Sequence, residues 1–176
     1  MTIHTDHPFL EPESARDAAR RFRGRLGGAV TLWTTGDDAG REGLTVSSTL
    51  VAPGDPAHVL GLLDPDSGLV EAVRRTGTAV VQLLQWGHRD LADAFAGVAP
   101  APGGAFRAGT WRDSPWGPVL DGVSGWVGLR FTGPGSEVGW SLLLDGVVEH
   151  VEIGDDGVPL VHRRGRYLRP DGPSRG

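Results

Sequence analysis

The sequence predicts a mainly β protein: a closed antiparallel barrel with a few covering α-helices. Three observations predict it. Turn formers recur along the chain, with 28 Gly and 13 Pro in 176 residues, and they punctuate apolar runs of strand length. Val123, Gly125, Val127, Leu129 and Phe131 alternate along one long run, the period-two pattern of a half-buried strand. Helical periodicity is confined to the start and middle of the chain, whereas a doubly wound sheet needs a helix between most strands. Roughly six or seven strands are expected from this spacing of turns.

The elements follow in order. Residues 1–12 read as a flexible tail, 13–169 as one domain and 170–176 as a second flexible tail. Ser14 can cap a helix, with Asp17 three residues on as a weak capping box. Ala15, Ala18, Ala19, Phe22 and Leu26 share one helical face, and Gly27-Gly28 ends it. Residues 29–35 are apolar and β-branched, a strand, and 36–40 are a turn. Strands follow at 44–51 and 58–63, separated by a Pro-bounded turn. Ser67 caps a helix over 69–75 that Gly77 closes. Residues 78–84 form a strand, and a helix from about Asp90 to Phe95 ends at Gly97. A Gly/Pro/Trp-rich loop over 100–117 precedes two long strands, 119–131 and 140–153, and a last strand spans 159–167.

Composition removes several function classes. The chain has no cysteine, so disulfides, thiolate metal sites and a cysteine nucleophile are excluded. All 17 basic residues are Arg, which excludes lysine Schiff bases and the P-loop lysine. A net charge of −5 argues against a generic nucleic-acid binder. No apolar run reaches the roughly 20 residues of a membrane helix, and residues 1–10 hold no signal-like run. The expectation is a cytoplasmic protein that binds neither nucleic acid nor membrane.

Familiar catalytic motifs are missing. Gly133-Pro134-Gly135 with Gly139 has the wrong spacing for a dinucleotide fingerprint, and Gly122-Val123-Ser124-Gly125 is one residue short of a nucleophile elbow. The six His are scattered, with no metal-ligand spacing; surface or structural roles suit them better. The Arg-rich stretches at 16–25 and 163–169 read first as solvated faces. The informative feature is Gly43-Leu44-Thr45-Val46-Ser47-Ser48-Thr49, where four hydroxyls lie in five residues. Such groups can hydrogen-bond a ribityl chain, a phosphate or a ring edge. A half-exposed strand would carry them too, since Thr favours strands.

The wider arrangement resembles the flavin-reductase-like family. Thr31-Leu32-Trp33-Thr34-Thr35, a turn, then Gly43-Leu44-Thr45-Val46-Ser47-Ser48 is similar to that family's opening. Further matches fall in the same order: Pro56, the strand at 80–84, Gln85, Leu91-Ala92-Asp93-Ala94-Phe95-Ala96-Gly97, Gly117-Pro118-Val119-Leu120, and Pro159-Leu160-Val161 with Gly165-Arg166-Tyr167. The resemblance implies an FMN-binding split barrel that dimerises, with the flavin near the interface. It implies FMN or FAD as cofactor, NADH or NADPH as co-substrate, and reduced flavin supplied to a partner monooxygenase. The residues it brings to the flavin are Thr34, Thr45, Val46, Ser47, Ser48, Asp64, Ser67 and Gln85. The homodimer has a second basis, because the Trp-rich stretch from Trp111 to Trp126 is apolar surface a monomer would struggle to cover.

Departures from the pattern keep other readings open. Thr49 stands where an aromatic is common, Pro53 replaces a Ser, Ala57 a second Pro, and Gln82 an Asn. The segment Asp64-Pro65-Asp66-Ser67 is acidic where the family often has a cation near the phosphate. Trp140 stands on the nicotinamide side, where many members carry His. It shares the alternation of Leu142 and Leu144, which predicts an indole turned into the barrel wall. The alternatives are a flavin carrier or partner protein with little nicotinamide turnover, and a split barrel that uses a deazaflavin or haem.

Overall fold

The computed structural model describes residues 18–170. The expected cap at Ser14 and Asp17, the N-terminal tail and all of the C-terminal tail but Pro170 lie outside them. Three α-helices are present among the described residues: α1 (Ala18–Leu26), α2 (Gly68–Thr76) and α3 (Arg89–Phe95). The strands are β1 (Gly28–Ala29), β2 (Thr31–Thr35), β3 (Glu42–Val46), β4 (Thr49–Ala52), β5 (His58–Leu63), β6 (Thr78–Leu83), β7 (Trp111–Arg112), β8 (Val119–Leu120), β9 (Gly125–Phe131), β10 (Ser136–Val138), β11 (Ser141–Ile153), β12 (Val161–Arg163) and β13 (Arg166–Leu168).

Every strand pairing among the described residues is antiparallel. The main sheet runs β3-β2-β6-β9-β11-β5-β4, with β10 paired to β11. It is a curled sheet whose two edges, β3 and β4, are consecutive in sequence and joined by no ladder of their own. The expected barrel is therefore met as a curled antiparallel sheet rather than a closed ring of ladders. The single strand expected over 44–51 is two strands, because the chain leaves β2 at Val46 and joins β5 at Thr49. The strand expected from 119 likewise breaks at 121–124. Val119–Leu120 pairs with Trp111–Arg112, and the amide of Asp121 donates to the carbonyl of Thr110.

The buried side chains gather into three clusters, the smallest of them Val80, Val119 and Trp126. Val46, Val59, Leu63, Leu142 and Leu144 turn inward around Trp33, which is fully buried. The Trp33 indole N–H donates to the hydroxyls of Thr31 (3.2 Å) and Thr49 (3.1 Å), satisfying the polar atom of a large apolar side chain. Helix α2 adds Leu69, Val70 and Val73 to this core. Its start and stop are local: the Ser67 hydroxyl accepts from the amide of Val70, and Gly77 takes φ +71°. The second core gathers Val30, Leu32, Leu84, Leu91, Phe95, Leu120 and Leu160.

The Trp-rich stretch is covered by the chain itself. Trp126 is buried, Trp116 lies half-buried beside it and His150, and Trp111 packs edge-on against Phe95 and Phe106. Exposed apolar side chains lie elsewhere, among them those on the outer face of β4, β5 and β11. Leu50 stands opposite Leu60, and Leu62 opposite Leu143; Leu50 is 70% exposed. No helix among the described residues is long and apolar enough to cross a membrane.

Candidate functional site

The break between β3 and β4 decides which hydroxyls of the segment are engaged and which are exposed. Successive side chains of a strand face opposite ways. Val46 enters the core, and Thr45 turns to α3, where its hydroxyl donates to the carbonyl of Ala92 at 2.7 Å. Ser47 and Ser48 follow at the bend. The Ser48 hydroxyl donates to the carbonyl of Leu62 (2.6 Å), and the Leu62 amide donates back to the carbonyl of Ser48 (3.1 Å). Ser47 is exposed, and its hydroxyl has no partner among the described residues.

The register of β5 then sets the opposite wall. Ser48 stands at Leu62, so Asp64 lies two residues farther along, roughly 7 Å at strand spacing. The Asp64 carboxylate accepts from the amide of Asp66 (2.9 Å), and its carbonyl accepts from the Ser67 hydroxyl (2.8 Å). This turn fixes Ser67 as the cap of α2, with Asp64 and Asp66 exposed. Ser47, Ser48, Asp64 and Ser67 thus belong to one corner of the molecule.

Two predicted residues stand apart from it. Thr34 is fully buried, and its hydroxyl spends its one proton on the carbonyl of Pro118 (2.6 Å) while accepting from the Gln82 amide (3.0 Å). Gln85 is at the same end of the sheet as Ser47 but two strands away, because Thr31 is opposite both Val46 and Leu83. Its side-chain amide donates to the carbonyl of Gly122 (3.2 Å), and its backbone N–H donates to Nδ1 of His88 (3.0 Å). Burial holds the His88 pKa below the ordinary histidine value, which keeps that ring nitrogen free to accept.

Trp140 overturns its sequence reading. Leu142 and Leu144 do point into the core, but Trp140 is 79% exposed. Val138 pairs with Ser141, so Gly139 and Trp140 form the two-residue turn between β10 and β11, with Gly139 at φ +59°. A turn residue is not part of the strand's alternation. Sequence reading missed β10, and with it the turn. The guanidinium of Arg20 lies 5.0 Å from the Trp140 ring centroid, a pairing that no local pattern signals.

The corner offers an exposed hydroxyl at Ser47, a capped turn at Ser67 and an exposed Leu62. No group of three or more potential metal ligands occurs among the described residues.

Known proteins agree with this fold. The flavin reductase like domain matches residues 23–170. A protein of Methylorubrum extorquens named FMN reductase (NADH) RutF is 34% identical over 163 residues, covering 89% of this chain and 78% of that one. The Ancylobacter novellus protein of the same name is 37% identical over 113 residues, covering 64% of this chain and 62% of that one, so the chain spans under two thirds of that relative's length. Among solved structures, the NADH:FAD oxidoreductase SgcE6 of Streptomyces globisporus C-1027 superposes with a TM-score of 0.80 at 21% identity, covering 94% of this chain and 98% of that one. With a domain match over most of its length and a relative at this identity and coverage, the chain belongs to the flavin-reductase-like family.

Proposed function

We propose that this protein is an NAD(P)H-dependent flavin reductase that binds FMN or FAD at the corner between Ser47-Ser48 and the Asp64–Ser67 turn. The bound flavin would accept hydride from the nicotinamide, so no protein acid or base is obligatory. What supports the reading most is the strand break at Ser47 and Ser48, which leaves an exposed Ser47 hydroxyl in a family member. The chain's own residues would bind and orient the ring: Ser47 by hydrogen bond, Leu62 and Trp140 by contact with its apolar surface. The paired Ser48–Leu62 hydrogen bonds extend the β4–β5 ladder by one position, up to the bend at Ser47. We read residues 13–169 as one domain, a cytoplasmic one given its nicotinamide co-substrate, with reduced flavin passing to a flavin-dependent monooxygenase.

The test is steady-state oxidation of NADH and NADPH followed at 340 nm with added FMN or FAD. Turnover that requires both substrates is expected. A protein that binds flavin with the matching absorption spectrum yet oxidises neither nicotinamide would be a carrier instead. The exposed Trp140, beside an acidic turn, is the observation that favours this second reading.

We read the protein as a homodimer whose interface includes the outer apolar face of exposed Leu50 and Leu62 and half-buried Leu60 and Leu143. Leu50→Glu combined with Leu62→Glu places two charges there, each costly to desolvate. Light scattering at micromolar concentration should then give a monomer where the unaltered chain gives a dimer. A dimer that survives both changes would move the interface to another face.

A further inference from the structure

The two Arg-rich stretches, read first as solvated faces, meet in the fold. Residues 18–30 and 160–170 carry eight of the chain's 17 arginines and none of its 22 acidic residues. The first stretch holds α1 and β1, the second the β12–β13 hairpin. Strand pairing brings them together, since Gly28 stands opposite His162 and Ala29 opposite Val161. Two bonds fasten α1 to the hairpin: the Arg163 guanidinium donates to the carbonyl of Arg25 (2.9 Å), and the Arg164 amide to that of Gly24 (2.8 Å). A chain of net charge −5 thus gathers nearly half of its cations in one patch.

The patch points outward. His162 and Tyr167 pair across the hairpin on the side that meets α3, where the Tyr167 hydroxyl donates to Asp93 (2.7 Å). Strand alternation puts Arg163, Arg166 and Leu168 on the other side. No residue of α1 is buried. Arg21, Arg23, Arg25, Arg163, Arg166 and Arg169 are all exposed. Arg20 and Arg164 are engaged and are set aside. The side chains of Arg21, Arg166 and Arg169 make no hydrogen bond or ion pair among the described residues.

A merely solvated face would be polar throughout. Here Phe22 is 71% exposed, Leu26 73% and Leu168 42%. Phe22 and Leu26 are four residues apart and form one stripe of α1, with Arg21 and Arg25 on the adjoining stripe. Arg and aromatic residues are enriched in protein interfaces, and Lys is depleted. Guanidinium groups also match carboxylates, which they bond through a planar fork. Nucleic acid binds chiefly through its phosphates, which gives exposed Leu26 and Leu168 no partner. Two apolar residues on a nine-residue helix are a small anchor for a lipid surface.

We propose that the face of α1 and the β12–β13 hairpin docks an acidic protein surface, with carboxylates on the arginines and apolar side chains on Phe22, Leu26 and Leu168. The face borders the Ser47 bend, because a Cβ added at Gly28 would stand 2.9 Å from the Ser47 carbonyl oxygen. A partner seated there lies beside the flavin corner, in place to take reduced flavin. That consequence rests on flavin binding as proposed above; the docking face does not.

The probe is a fluorescein-labelled peptide built of Glu, Leu and Phe, read by anisotropy. A peptide with Gln in place of Glu, a DNA duplex, and vesicles of phosphatidylcholine and phosphatidylserine in equal parts serve as comparisons. The unaltered chain should bind the Glu peptide, ignore the Gln peptide and lose affinity as salt rises. Arg21→Glu, Arg25→Glu and Arg166→Glu together should weaken binding by roughly ten-fold or more, and Phe22→Ser with Leu26→Ser by roughly three-fold or more. Arg74→Glu, Arg75→Glu and Arg107→Glu alter the net charge equally but lie on α2 and the 105–107 turn, and should change little. Thermal melts guard against a fold defect; because α1 buries nothing, none is expected. Equal losses in the two charge-reversed sets would trace binding to net charge alone and overturn the proposal. Tighter binding of DNA or vesicles, or no binding of the Glu peptide, would overturn it as well. NADH oxidation with added FMN should be the same in all variants. A chain that bound the peptide yet never oxidised NADH would lose the reductase reading and keep the docking face.

Discussion

Gln82→Leu is expected to destabilise the fold by about 2–4 kcal/mol, enough to lower Tm by roughly 5–15 °C in a domain of this size. Gln82 is fully buried and uses both ends of its amide. Its Oε1 accepts from the backbone N–H of Leu120 (2.6 Å), and its Nε2 donates to the hydroxyl of Thr34 (3.0 Å) and the carbonyl of Pro118 (3.3 Å). These bonds fasten the 118–120 segment to β6 and β2, and so carry Leu120 into the second core and Val119 into the cluster with Val80 and Trp126. Leucine fills a similar volume, so little of the loss comes from a cavity. The cost is the stranded Leu120 N–H, and to a lesser degree the Thr34 and Pro118 oxygens, which still bond each other. Chemical denaturation measures it. A loss below about 1 kcal/mol would mean that water or a rotated backbone satisfies Leu120, and that the amide network is dispensable.

Ser47→Ala with Ser48→Ala is expected to weaken FMN binding by roughly 5- to 150-fold, the span of two neutral hydrogen bonds at about 1–3 kcal/mol together. The structure divides the effect unequally. Ser47 is exposed and its hydroxyl is free for a ligand, so its removal acts on affinity directly. The Ser48 hydroxyl is spent on Leu62, so its removal loosens the bend between β3 and β4 and acts through position. Single variants should separate the two: Ser47→Ala should lower affinity with an unchanged melt, and Ser48→Ala should lower both. Fluorescence titration with FMN reads the first quantity and thermal unfolding the second. Unchanged titrations in the double variant and in Ser47→Pro would remove this segment from the site.

Local chemistry was legible wherever a few neighbouring residues decide the outcome. Ser67 and Gly77 bracket α2 because a cap and a left-handed stop need only the residues beside them. The strand His58–Leu63 was read at its observed bounds because flanking Pro and Asp leave no other register. The ordered set of short matches from Thr31 to Tyr167 identified the family before any contact was known, and the domain match over residues 23–170 agrees. Other features depended on partners distant in sequence. The split at Ser47 and Ser48 arises because one chain segment must leave β2 and join β5, a choice made by the sheet's curl. Thr34 has the composition of a site residue, yet Pro118, 84 positions away, takes its hydroxyl. Trp140 reads as the first residue of a strand until β10 pairs back and makes it a turn, which exposes the indole to Arg20 from the opposite end of the chain. The sequence by itself determined the strand-rich class, the caps and the family, since propensity and periodicity act within a few residues. Tertiary structure alone decided which hydroxyls remain free and which side chains meet at the corner, since that depends on register between strands, and register is set by the packing of the whole sheet.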